Sequence, residues 1–173
     1  MQKSSWIFGA LAGILSATLE YLFFKSSESN ANTMFLSKIL ILTLCIVLGL
    51  ILAKKLLGGT ISIARTILTG GVISIVRAIV MIIAFMVLYF PNGEFYQSKV
   101  EIAFEQAAKK VQQDDEIKPA DKAMELKEIK NQISAQYKPA GYAMMSIGSS
   151  LVTGLIVSIL MAAFIANNMM YKQ

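Results

Sequence analysis

Four long stretches of this chain carry apolar or small residues almost without interruption. They cover residues 6–24, 34–53, 67–90 and 142–166. As helices, each reaches about 28–38 Å, enough for a bilayer core of about 30 Å. Residues 94–138 read differently. Charged residues of both signs alternate there with two narrow apolar stripes. Tyr96, Val100, Ala103, Phe104, Ala107 and Val111 form the first, Ala123, Leu126, Ile129, Ile133 and Tyr137 the second. Spacings of three and four predict two amphipathic helices joined near Asp114–Pro119. Lys25–Thr33 is a polar connector. Gly58 and Gly59 break the chain before the third stretch, with Thr60 as the expected helix cap. Pro91-Asn92-Gly93 is expected to stop the third helix, and Pro139-Ala140-Gly141 the second helix of the insert. The expected fold is all-α, a single membrane domain over residues 1–173. It is a four-helix bundle with an extramembrane helical hairpin between the third and fourth spans.

Each span also carries a face of small residues. Gly9 and Gly13 share one face of the first with Ser16, and Cys45, Gly49 and Ala53 one face of the second. Gly70, Ser74 and Ala78 line the third, and Ser150, Gly154, Ser158 and Ala162 the fourth. Small residues four apart let helix backbones approach closely in lipid. Gly9, Gly13, Gly70, Ser74, Gly154 and Ser158 are therefore the expected packing residues, within the bundle first and between copies second.

Composition agrees with the pattern. Of the 173 residues, 55% are hydrophobic and only 16% charged, an excess that points to membrane spans rather than a large soluble core. The first span follows Lys3 but ends in Phe24-Lys25 with no small-x-small cleavage site, so a retained helix is expected. The net charge of +5 comes without an aromatic-interleaved basic patch, which argues against nucleic-acid binding. The basic residues serve orientation instead. Lys3, Lys54, Lys55, Arg65 and Lys172 flank one side and Lys25 and Lys38 the other. Both termini are expected in the cytoplasm and residues 94–138 in the periplasm of a bacterial inner membrane.

Two charges lie inside the spans, Glu20 and Arg77. An ionisable residue in a span is a functional hypothesis by default. Here the opposite signs favour a structural ion pair between the first and third helices. Lys38, one turn inside the second span, is expected to snorkel to the headgroups. The chain has no His and one Cys, Cys45, which removes the usual general base and any intramolecular disulfide. Asp114-Asp115-Glu116 lacks the spaced ligands and glycine of a calcium loop. Gly58-Gly59 and Gly70-Gly71 are not followed by the Lys-Ser/Thr of a phosphate loop. No enzyme, cofactor or metal site is expected.

The layout resembles a bacterial family, the domain of unknown function numbered four-one-nine-nine. Three stretches carry the likeness: Ile7-Phe8-Gly9-Ala10-Leu11-Ala12-Gly13-Ile14-Leu15, Leu57-Gly58-Gly59-Thr60-Ile61-Ser62-Ile63-Ala64 with Gly70-Gly71 beyond, and Gly154 to Ile165. The resemblance implies four spans with one long charged helical insert before the last. The tail departs from it, with Lys172 its one basic residue. No site residues come with the likeness. Beside it, the residues support two function classes. One is a structural or accessory subunit, with a membrane or periplasmic protein, or a second copy, as partner. The other is a small transporter or channel with Glu20 and Arg77 on its path.

Overall fold

A computed structural model describes residues 3–25, 31–89, 93–113 and 119–170. Among these the chain is all-α: α1 (Lys3–Lys25), α2 (Ala31–Leu56), α3 (Ile63–Ala84, continued by a π-helical turn, Phe85–Tyr89), α4 (Gly93–Gln113), α5 (Pro119–Gln136) and α6 (Pro139–Met170). Four helices are long and apolar enough to cross a membrane, over Lys3–Phe23, Thr33–Leu56, Ile63–Leu88 and Pro139–Phe164. The connector at 26–30, Pro91-Asn92 and the turn with Asp114-Asp115-Glu116 lie outside the described residues.

The chain divides into two units, Met1–Ile83 with Ser146–Gln173, and Ala84–Met145. In the first, Leu42, Cys45, Ile46, Leu50 and Ala53 of α2 pack with Ala12, Ile61 and Ile73 in one core. The opposite stripe of α2, Leu36, Leu40, Leu44, Leu48 and Ile51, is exposed. Exposed leucines of this number on one helix fit a hydrocarbon solvent and would be an aggregation liability in water.

Helix ends follow local chemistry. At the end of α2, Gly58 N–H donates to Lys55 O (3.3 Å) and Gly59 N–H to Lys54 O (2.9 Å). This is the paired bonding of a Schellman cap. It requires the positive φ of Gly58 (75°), and Gly59 beside it is left-handed as well (93°). Lys54 and Lys55 place positive charge on the same helix end, where the dipole favours it. The cap of α3 is Ser62, not Thr60. Arg65 N–H donates to Ser62 Oγ at 3.3 Å. The helix starts later than the glycine break alone suggests, and the hydroxyl next to the first turn takes the role.

In the second unit, α4 and α5 pack on each other. Lys130 Nζ lies 5.4 Å from the Phe104 ring centroid, and Lys122 Nζ donates to Gln112 O. Phe85 stacks on Tyr142 with centroids 4.0 Å apart. Pro139 does not end α5. It opens α6, where a missing N–H costs nothing, and the break falls at Tyr137-Lys138. That tight passage brings Gly141 against the previous helix. A Cβ there would strike the Ala135 carbonyl oxygen, with Gln136 Cα 2.9 Å away. Gly141→Ala is expected to destabilise the protein by about 1–3 kcal/mol. Thermal unfolding in detergent checks this, and Gly148→Ala, where a Cβ meets nothing within 4 Å, serves as the tolerated control.

Candidate functional site

The residues with chemistry to offer gather in the first unit. Ser16 and Glu20 stand one turn apart on α1, and both are buried. Arg77 is buried on α3, as is Ser150 on α6. The guanidinium joins them: Arg77 Nε donates to Ser16 Oγ at 3.2 Å and Nη1 to Ser150 Oγ at 2.6 Å. One side chain thus ties α1, α3 and α6 together. Lys38 Nζ on α2 donates to Glu20 Oε2 at 2.6 Å. All four apolar helices therefore meet in one polar cluster. In a low-dielectric surrounding, charge survives only when paired and bonded in this way.

Lys38 departs from the expectation for it. Its ammonium turns inward to a buried carboxylate rather than outward to headgroups. A positional signal for this exists in the sequence. Glu20 lies about one turn before the end of α1 and Lys38 about two turns after the start of α2, with a short connector between. Glu20 and Lys38 thus form an ion pair between α1 and α2. Glu20 also stands one turn from Ser16, the hydroxyl that Arg77 holds. Ser16 and Ser150 were legible only as small residues, because nothing in a sequence separates a packing serine from a bonded one.

Beside the cluster, between α2, α3 and α6, lies a cavity of about 30 Å³. Lys38, Arg77, Ser149 and Thr153 line it, with Phe35, Ile39 and Leu42 as its apolar wall.

The expected packing residues hold the frame around the cluster. Gly9 and Gly13 seat α1 on α3. A Cβ on Gly9 would lie 2.6 Å from Val76 Cβ, and one on Gly13 2.5 Å from Val80 Cβ. The register 9 to 76 and 13 to 80 runs the same way on both helices, so α1 and α3 are parallel. Between α3 and α6 the contact is reciprocal. A Cβ on Gly70 would overlap Ser158 Oγ, and one on Gly154 would overlap Ser74 Oγ. Each serine donates to the carbonyl of the glycine one turn before it, Ser74 Oγ to Gly70 O (2.9 Å) and Ser158 Oγ to Gly154 O (2.6 Å). Both hydroxyls are satisfied within their own helices, which leaves the seam to van der Waals packing.

Four long apolar helices closed on a bonded polar cluster define, by length and composition, a multi-pass membrane protein. The family model described as Protein of unknown function (DUF4199) matches residues 5–167, and the chain belongs to that family. No curated protein and no solved structure matches it.

Proposed function

We propose that this is a structural or accessory membrane subunit without enzymatic activity, which docks a protein partner through α4 and α5. The observation that carries the reading is how little that pair buries. Along α4 and α5, among the described side chains, Val111 alone is buried, while Ala103, Phe104, Ala107, Ile129 and Ile133 stay half-covered and Met124 is exposed. Amphipathic helices with incompletely covered stripes suit a docking role. The bonded polar residues of the bundle suit a scaffold.

In this reading the protein sits in a bacterial inner membrane with both termini in the cytoplasm, and residues 94–138 form a hairpin in the periplasm. Lys3, Lys54, Lys55, Arg65 and Lys172 then lie on the cytoplasmic side. Two measurements test it. A reporter fused after Gln173 is expected to be active only as a cytoplasmic fusion; activity on the outer side overturns the topology. Purification in mild detergent, with residues 94–138 intact or replaced by a flexible linker, is expected to yield a stoichiometric partner that the replacement loses. A partner retained after replacement, or none with the intact chain, overturns the docking role. The transport reading is favoured by one observation, the cavity beside Lys38 and Arg77. Solute flux in vesicles that Arg77→Met abolishes without loss of folded protein would put it first.

A further inference from the structure

We propose that the end of the bundle where α2 turns into α3 selects an anionic phospholipid, holding its headgroup with Lys55 and Arg65 and its acyl chains against the two helices. Charge is the first argument. No Asp or Glu occurs between Glu28 and Glu94, so α2, α3 and the connector between them carry basic residues alone. Lys38 and Arg77 turn inward to the polar cluster. Lys55 and Arg65 are exposed and Lys54 is half-buried. The short connector over residues 57–62 keeps these three at one end.

Position is the second argument. Each exposed cation heads an exposed apolar stripe. On α2, Leu44, Leu48, Ile51 and Lys55 follow at spacings of four, three and four, which is one helix face. On α3, Arg65, Leu68, Ile75 and Ile79 likewise share an exposed face. Lys55 lies about 16 Å along its helix from Leu44, and Arg65 about 15 Å from Ile75. That is the depth of one leaflet of a core of about 30 Å. A cation at headgroup level with a leaflet's depth of apolar side chains behind it matches a phosphate with acyl chains behind it. A free phosphate or a nucleic acid would meet the cations and leave both stripes unmatched. The proposal depends neither on docking through α4 and α5 nor on which side of the membrane the connector faces.

The test uses the purified full-length protein in a neutral detergent. It is supplemented with phosphatidylglycerol, with phosphatidylcholine of the same acyl chains, or with glycerol 3-phosphate. Phosphatidylglycerol is expected to raise the unfolding midpoint saturably, by about 5 °C beyond the phosphatidylcholine value at a hundredfold excess over Kd. Glycerol 3-phosphate should leave it unmoved. Lys55→Gln with Arg65→Gln should raise the half-saturating phosphatidylglycerol concentration about twentyfold, about fivefold for each cation. The midpoint in phosphatidylcholine should stay that of the parent. Should the double variant not fold, Lys55→Gln alone takes its place, with the fivefold change. Lys109→Gln with Lys127→Gln removes the same charge from exposed positions of α4 and α5 and should change neither value. Equal midpoints in the two lipids overturn the proposal, as does full affinity in the Lys55 and Arg65 variants. An equal loss in the Lys109 and Lys127 pair would assign the effect to net charge, and a shift with glycerol 3-phosphate alone to a free phosphate; either overturns it too.

Discussion

Gly154→Val is expected to prevent α3 and α6 from closing. A Cβ alone at this position lands on Ser74 Oγ and lies 2.8 Å from Ser74 Cβ. The serine has nowhere to turn, because its hydroxyl is fixed on Gly70 O and it is fully buried. Valine adds two methyl groups to that overlap. Overpacking of a rigid contact costs about 1–3 kcal/mol and at times more. With a helix backbone on each side the upper end applies, about 3 kcal/mol, or on the order of 10 °C in the unfolding midpoint. Size-exclusion of detergent extracts, before and after heating, reads the loss directly. Gly71→Ala lies on the same third helix, yet a Cβ there meets nothing within 4 Å, and it should behave like the parent. The paired change Gly154→Ala with Ser74→Gly moves the small residue across the seam and should recover most of what Gly154→Ala alone loses. Full stability in the Gly154→Val protein would mean that the seam is not a packed contact.

The frame was legible in the sequence because its rules are local. Length and apolarity mark the four helices, and glycines four apart mark the faces that touch. Gly9, Gly13, Gly70 and Gly154 all stand where a side chain has no room. Which residue faces which was not legible. The exchange of Gly70 with Ser158 and Gly154 with Ser74 depends on the register of two helices far apart in the chain. The π turn at Phe85–Tyr89 has no proline or glycine to announce it. Thr60 and Ser62 are both capping residue types, and the position of the first helical turn decides between them. Pro139 reads equally as the end of one helix or the start of the next. At the polar cluster, the buried charges Glu20 and Arg77 were visible as anomalies of composition. Lys38 had only its position opposite Glu20 across a short connector to mark it, and a lysine near the end of a span has an inexpensive alternative in the headgroups.

That bond sets the last expected result. Glu20→Gln leaves the Lys38 ammonium beside a neutral amide, and Lys38→Met leaves the Glu20 carboxylate without its 2.6 Å donor. Stranding one member of a buried pair costs about 3 kcal/mol or more, while replacing both by neutral groups is often close to neutral. The ammonium is part-exposed and the carboxylate is not: their side chains are 16% and 3% accessible. Lys38→Met should therefore be the more damaging single change, since it takes a donor from a carboxylate that stays buried, whereas the lysine left by Glu20→Gln can turn to water. Glu20→Gln with Lys38→Met should recover to within about 1 kcal/mol of the parent, a coupling well outside additivity. Arg77→Met tests the other arm, because it removes the bonds to both Ser16 and Ser150 and unties three helices at once. Combining it with Glu20→Gln separates the two arms. If Glu20 is held chiefly by Lys38, the Glu20→Gln, Arg77→Met protein should fare no better than Arg77→Met alone. Recovery in that combination, and none with Lys38→Met, would instead assign the carboxylate to Arg77. Thermal unfolding of all five proteins in one detergent and one salt decides between these outcomes, and single variants as stable as the parent would show that the cluster does not hold the bundle together.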